Sequence, residues 1–133
     1  GGGAVDILLV SSHTSASERS LIERVLKDQG VGVRQVTTYK KALEELARDK
    51  FTVVLLYAFN ASNDIGVTDA IRIMKQIVPD VLLVAVSDEK PLELEKELRQ
   101  SGLYYYLTKP ITEGELTEAL SGAIETQMRR KAR

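Results

Sequence analysis

Ile7-Leu8-Leu9-Val10-Ser11-Ser12-His13 begins with four consecutive apolar residues and stops abruptly in small polar ones. A run with no polar alternation needs cover on both faces, as a parallel strand between two helical layers has. Two further runs share this form: Val53-Val54-Leu55-Leu56 ends in Tyr57, and the run from Val81 to Val86 ends in Ser87. None of the three ends in an acid. Around them the expected strands span residues 5–10, 31–36, 52–57, 81–86 and 104–107. The second alternates with Gly32, Arg34 and Gln35 and the fifth is short, so both suit the edges of a sheet.

Helix signals fill every gap between these runs. Ser15-Ala16-Ser17-Glu18 reads as a capping box, with Leu21, Ile22, Val25 and Leu26 as one apolar stripe before a Gly30 cap. Thr38 caps a second helix that turns Ala42, Leu43, Leu46 and Ala47 inward. Thr68 is expected to open a third, carrying Ile71, Met74, Ile77 and Val78. Pro91 suits the first turn of a fourth, with Leu94 and Leu98 buried and Gly102 ending it. Thr112-Glu113-Gly114-Glu115 is a second capping box, followed by Leu116, Ala119, Leu120, Ala123 and Ile124. Five strand-helix units with short connections predict a single α/β domain. It is a flavodoxin-like, doubly wound parallel sheet of five strands in the order 2-1-3-4-5.

Composition narrows the function classes. The 133 residues are 44% hydrophobic and 28% charged, with a net charge of −1 and no Cys. This balance gives no electrostatic reason to expect nucleic acid or an anionic membrane as partner. No apolar run approaches the roughly 20 residues that span a bilayer. Absence of Cys removes disulfides and thiolate chemistry and fits a cytoplasmic setting. Gly1-Gly2-Gly3 lacks the order of a signal peptide and reads, over residues 1–4, as a tag remnant or disordered N-terminus. Residues 127–133, with Arg129, Arg130, Lys131 and Arg133, read as a basic helix end or the start of a linker out of a domain over residues 5–126.

The strand ends, with Lys109-Pro110 following the fifth, resemble the receiver domain of bacterial two-component response regulators over residues 5 to about 125. In that family an acidic pair after the first strand binds Mg²⁺, and an Asp ending the third accepts a phosphoryl group. A Ser or Thr ends the fourth strand, an aromatic lies on the fifth, and a Lys precedes a Pro. Ser87, Tyr106 and Lys109 match. Ser11 and Ser12 stand where the acidic pair belongs, and Tyr57 stands where the acceptor belongs. Two uncharged hydroxyls hold a hard cation poorly, and a phenol cannot form an acyl phosphate. The resemblance therefore implies a degenerate receiver, or pseudoreceiver, in bacterial signalling or gene regulation. Neither catalysis, cofactor nor resident metal is expected.

Alternatives remain at this level. Asp64, in the loop after Tyr57, is the alternative phosphoacceptor, and Asp88 after Ser87 is a second acid near the pocket. The hydroxyl-rich loop Ser11-Ser12-His13-Thr14-Ser15-Ala16-Ser17 leads into a helix N-terminus and could hold the phosphate of a small ligand. His13 has no carboxylate beside it and reads as a loop histidine. Lys109 needs acceptors, with Tyr57, Ser11, Ser12 and Asp88 as candidates and a Tyr57–Lys109 contact expected; the Lys109–Pro110 bond is a candidate for cis. Tyr104, Tyr105 and Tyr106 form the densest aromatic cluster. Alternation would place Tyr104 and Tyr106 on one face and an exposed Tyr105 on the other. By the resemblance, the surface of the fourth helix, fifth strand and fifth helix meets a protein partner, a neighbouring domain or a second copy.

Overall fold

The computed structural model describes residues 6–12, 14–49, 51–57, 65–88 and 92–131, side chains 92–94 excepted. Strands β1 (Ile7–Val10), β2 (Val33–Val36), β3 (Val53–Tyr57), β4 (Leu82–Ser87) and β5 (Tyr105–Thr108) alternate with helices α1 (Ala16–Asp28), α2 (Tyr39–Arg48), α3 (Val67–Ile77), α4 (Leu92–Gln100) and α5 (Glu113–Lys131). The sheet is parallel throughout, in the order β2-β1-β3-β4-β5. Sequence pattern predicted both the order and the two edge strands. The three continuous apolar runs are the three interior strands, which require apolar residues on both faces.

Two cores follow from strand alternation. Leu8, Val10, Val54, Leu56, Leu83, Ala85 and Tyr106 face α2, α3 and Leu98 of α4. Ile7, Leu9, Val53, Leu55, Tyr57, Val84, Val86 and Leu107 face α1 and α5. Thus Tyr57, the last residue of β3, extends the odd-numbered face and is directed to the α1 side. Lys109 follows Tyr105 and Leu107 on that same face. Parity alone brings the phenol and the ammonium together.

The helix ends explain where each helix starts and stops. The Ser15 hydroxyl accepts from the Glu18 N–H, and the Glu18 side chain accepts from the Ser15 N–H, completing the capping box. At the other end Gly30 has φ 73°, and the N–H groups of Val31 and Gly30 donate to the carbonyls of Leu26 and Lys27. That paired pattern is a Schellman cap, which needs a residue tolerant of positive φ. Thr38 caps α2 through the Lys41 N–H. Thr112 and Glu115 form the second box.

Several expectations change. Helix α3 starts one residue before Thr68, with Gly66 as its N-cap and no side-chain cap bond. Ile77, expected inward, is 37% exposed because it lies in the last turn, after which the chain turns towards β4. Pro91 and the Leu94 side chain lie outside the described residues. The last helix runs to Lys131, and Gln127 is buried beneath the sheet. Its amide N–H₂ donates to the Thr52 carbonyl at 2.8 Å and the Asp80 carbonyl at 2.7 Å, tying α5 to the starts of β3 and β4. Arg130 donates to the same Asp80 carbonyl at 3.0 Å. No described helix is long and apolar enough to cross a membrane.

Each Gln127 bond is worth about 1 kcal/mol net. Gln127→Ala should therefore lower unfolding free energy by about 1–2 kcal/mol in denaturant titration, whereas Met128→Ala at the exposed neighbour should change it little.

Candidate functional site

Parallel register lines the strand ends along one edge of the sheet. Val10 pairs with Leu56, Tyr57 with Val86, and Ser87 with Thr108. The ladder continues past the strands, since the Ser11 N–H donates to Val36 and the Lys109 N–H donates to Ser87. Ser11 and Ser87 are buried at this edge, while Ser12 is exposed. The Lys109–Pro110 bond is cis.

The pocket is not acid-free. Glu18, from the first turn of α1, reaches over the end of β3. Its Oε1 accepts from the Ser15 N–H at 3.0 Å, and its Oε2 accepts from the Tyr57 hydroxyl. The same Oε2 lies 2.8 Å from Lys109 Nζ. Asp88 Oδ1 lies 2.9 Å from Nζ on another side. The ammonium also stands 4.7 Å from the centroid of the Tyr57 ring. The Tyr57–Lys109 contact is therefore made through the ring face, and the phenolic oxygen is directed to Glu18. Asp88, one of the candidate acceptors that the sequence offered for Lys109, is its direct partner.

Sequence reasoning missed Glu18 as a pocket residue because the capping box already accounted for it. A carboxylate has two oxygens, and the box uses one. The usable signal was parity: Tyr57 and Lys109 share the face covered by α1, whose first turn carries an acid.

Electrostatics follow from this geometry. Partial burial pushes the Glu18 carboxyl up, but hydrogen bonds from Lys109, Tyr57 and Ser15 outweigh it and bring it from the ordinary 4.5 down to about 2. Burial raises the Tyr57 phenol well above its usual value, reinforced by the hydrogen bond to Glu18 and the charges of Glu18 and Asp88. Burial lowers Lys109, yet the two carboxylates more than compensate and its pKa is raised. At neutral pH Glu18 is therefore a carboxylate, Lys109 an ammonium and Tyr57 a neutral phenol.

This donor set does not fit the Mg²⁺ that the family resemblance implies. Glu18 and Asp88 both hold the Lys109 ammonium, and a metal between them would have to displace that resident cation. The phenol at the end of β3 is spent on Glu18. Among the described residues, no group of three His, Cys, Asp or Glu side chains could hold a metal. Asp64 and His13 lie outside the described residues. In the loop, Ser15 and Ser17 hydroxyls bond each other at 3.1 Å, and Ser15 is also the α1 cap, so its hydroxyl is engaged by its own helix.

The tyrosine cluster differs from the alternation predicted for it. Strand β5 begins at Tyr105, so Tyr104 precedes the pleat and does not share the Tyr106 face. Tyr104 is 39% exposed and its hydroxyl lies over Gly122 of α5, where a Cβ would meet it at 2.8 Å. Tyr105 is only half-buried against the α1/α5 core and packs 6.5 Å from Tyr104, ring to ring. Tyr106 is buried on the other face under the Arg99 guanidinium, 5.6 Å from its centroid. Its hydroxyl has no hydrogen-bond partner among the described residues. The tyrosine offered to solvent is Tyr104.

The depressed Glu18 pKa sets a pH dependence. The folded carboxyl ionises more readily than an unfolded one, so its stabilisation is complete above about pH 4.5 and is lost as pH falls towards 2. Glu18→Gln should lower stability at pH 7 and flatten its fall between these values, so that the two proteins converge near pH 2. Parallel curves from chemical denaturation would contradict the geometry.

Comparison with known proteins places this edge in context. The family model of the response regulator receiver domain matches residues 7–121. A putative NtrX-like response regulator of Rickettsia bellii is 23% identical over 128 residues, 96% of this chain and 26% of that protein. The nitrogen assimilation regulatory protein NtrX of Azorhizobium caulinodans is 26% identical over 131 residues, 98% of this chain and 28% of that protein. The chain thus spans about a quarter of the length of these relatives. The crystal structure of a CheY-like receiver domain protein from Methanospirillum hungatei superposes with a TM-score of 0.80 at 18% identity, covering 96% of this chain and 99% of that one, a likeness of fold. Because the family match takes in every strand of the sheet and the Lys109-Pro110 edge, this chain belongs to the response regulator receiver domain family.

Proposed function

We propose that this domain is an atypical receiver, a signalling module that works by protein–protein contact and without phosphoryl transfer. The observation that carries this reading is the position of Tyr57. It stands where the resemblance puts the phosphoacceptor Asp, and its hydroxyl is bonded to Glu18, which also holds Lys109. A neutral phenol is a poor nucleophile, and the one carboxylate that accepts its proton among the described residues, Glu18, is held at a pKa of about 2 and is too weak a base to activate it. Ser11 and Ser12 supply no charge to attract Mg²⁺. On this reading Ser11, Ser12, Tyr57, Ser87 and Lys109 are the remnant of a phosphorylation pocket, closed by Tyr57 and Glu18.

The contact surface is proposed on α4, β5 and α5. Tyr104 is its exposed aromatic, seated over Gly122, with Tyr105 beneath and Arg99 beside Tyr106. Tyrosine buries large area while keeping a polar tip, which suits an interface. The partner would be a neighbouring domain, another protein or a second copy. Nucleic acid is not proposed for this domain, whose net charge is −1. The relatives are named as regulators, which fits a role in gene regulation for a longer protein.

Two experiments test the reading. Incubation with acetyl phosphate and Mg²⁺ should leave the intact mass unchanged; a stable phosphoryl gain, mapped to Asp64 or elsewhere, would overturn it. Tyr104→Ala should weaken self-association or partner binding while leaving the thermal midpoint in place. Unchanged association would move the interface to another surface.

A further inference from the structure

We infer that Glu18 is a built-in ligand of Lys109, an autoinhibitory contact that keeps small oxyanions out of the pocket and ties the α1 cap to the strand ends. The inference rests on the proposed reading of Tyr57 and adds a role for a side chain outside the strand-end signature.

Convergence of donors is the first argument. An ammonium has three N–H donors. Lys109 sends two to Glu18 and Asp88 at 2.8 and 2.9 Å and turns towards the Tyr57 ring, 4.7 Å away at its centroid. Tyr57 has one donor, and it goes to the Glu18 oxygen that Lys109 also holds. Ammonium and phenol thus converge on one point, and a carboxylate oxygen occupies it. An external phosphate or sulfate oxygen could take that position only by displacing Glu18.

The second argument is access. The side chains of Lys109 and Glu18 are 25% and 26% exposed, so the contact lies at the rim of the pocket, within reach of solvent ions. The third is the division of labour within one carboxylate. Oε1 holds the Ser15 N–H while Oε2 holds the pocket. Displacement of Glu18 would therefore loosen the α1 cap, and the first turn of α1 would report what enters.

Two substitutions separate these roles. Glutamine is an accepted partner in a capping box, so Glu18→Gln keeps the helix start and removes only the charge. Glu18→Ala opens the position itself. Titration with inorganic phosphate, followed by backbone amide NMR shifts at Tyr57 and Lys109, should show binding to Glu18→Ala at least about tenfold tighter than to the wild type. The gain should vanish in the Glu18→Ala/Lys109→Met double variant. In Glu18→Gln, the Tyr57 phenol should ionise at lower pH than in the wild type, with unchanged far-ultraviolet circular dichroism. Equal phosphate affinities, binding that survives loss of Lys109, or an unmoved Tyr57 titration would each overturn the inference. A phosphoryl mass gain on the wild type instead defeats the phosphorylation-independent reading, so the two failures are distinguishable.

Discussion

One carboxylate joins three parts of this domain. Glu18 caps helix α1 with one oxygen and, with the other, receives both the Tyr57 hydroxyl and the Lys109 ammonium. The other interactions at the strand ends depend on that shared oxygen. Without it the buried phenol loses its acceptor and Lys109 keeps, among the described residues, Asp88 and an aromatic face. Leaving such donors unpaired in a partly dry site costs more than the bonds gain when made. The carboxylate also sits in the first turn of a helix, where the macrodipole favours negative charge.

At this edge the charged side chains pair with one another within the chain. Two carboxylates, from α1 and from just after β4, surround one ammonium at the end of β5. By the family resemblance, the usual carboxylate partners of this lysine stand at strand ends. Here its carboxylates come from a helix and a loop, and the aromatic at the end of β3 lies against the ammonium. Packing and charge are then satisfied by the chain itself, which favours one fixed arrangement of the edge.

Most of the fold was legible because its signals are local or periodic. Unbroken apolar runs marked the interior strands, and Ser15, Thr38, Gly30 and Thr112 marked helix ends through their own backbone chemistry. What sequence obscured was long-range. Tyr104 lies just before β5 and is exposed, whereas Tyr105, expected to be exposed, is half-buried because its face of the sheet is covered by the α1/α5 core. Gln127 looked like the start of a basic tail, yet its amide meets two carbonyls distant in sequence, Thr52 and Asp80. Glu18 had a sufficient local explanation, so nothing in its neighbourhood asked for a second partner. Lys109 was recognised as needing acceptors, and Asp88 was among those considered. The helix-borne acid was visible only once strand parity placed Tyr57 and Lys109 under α1.

The central claim is that Glu18 and Lys109 act as one unit at the strand ends. A double-mutant cycle on folding stability with Glu18→Gln and Lys109→Met tests it most directly, since the cycle isolates their coupling from the cost of each change alone. The account predicts a favourable coupling energy of at least about 1 kcal/mol at neutral pH, falling as Glu18 is protonated in acid. Additive effects, with no coupling at pH 7, would contradict it.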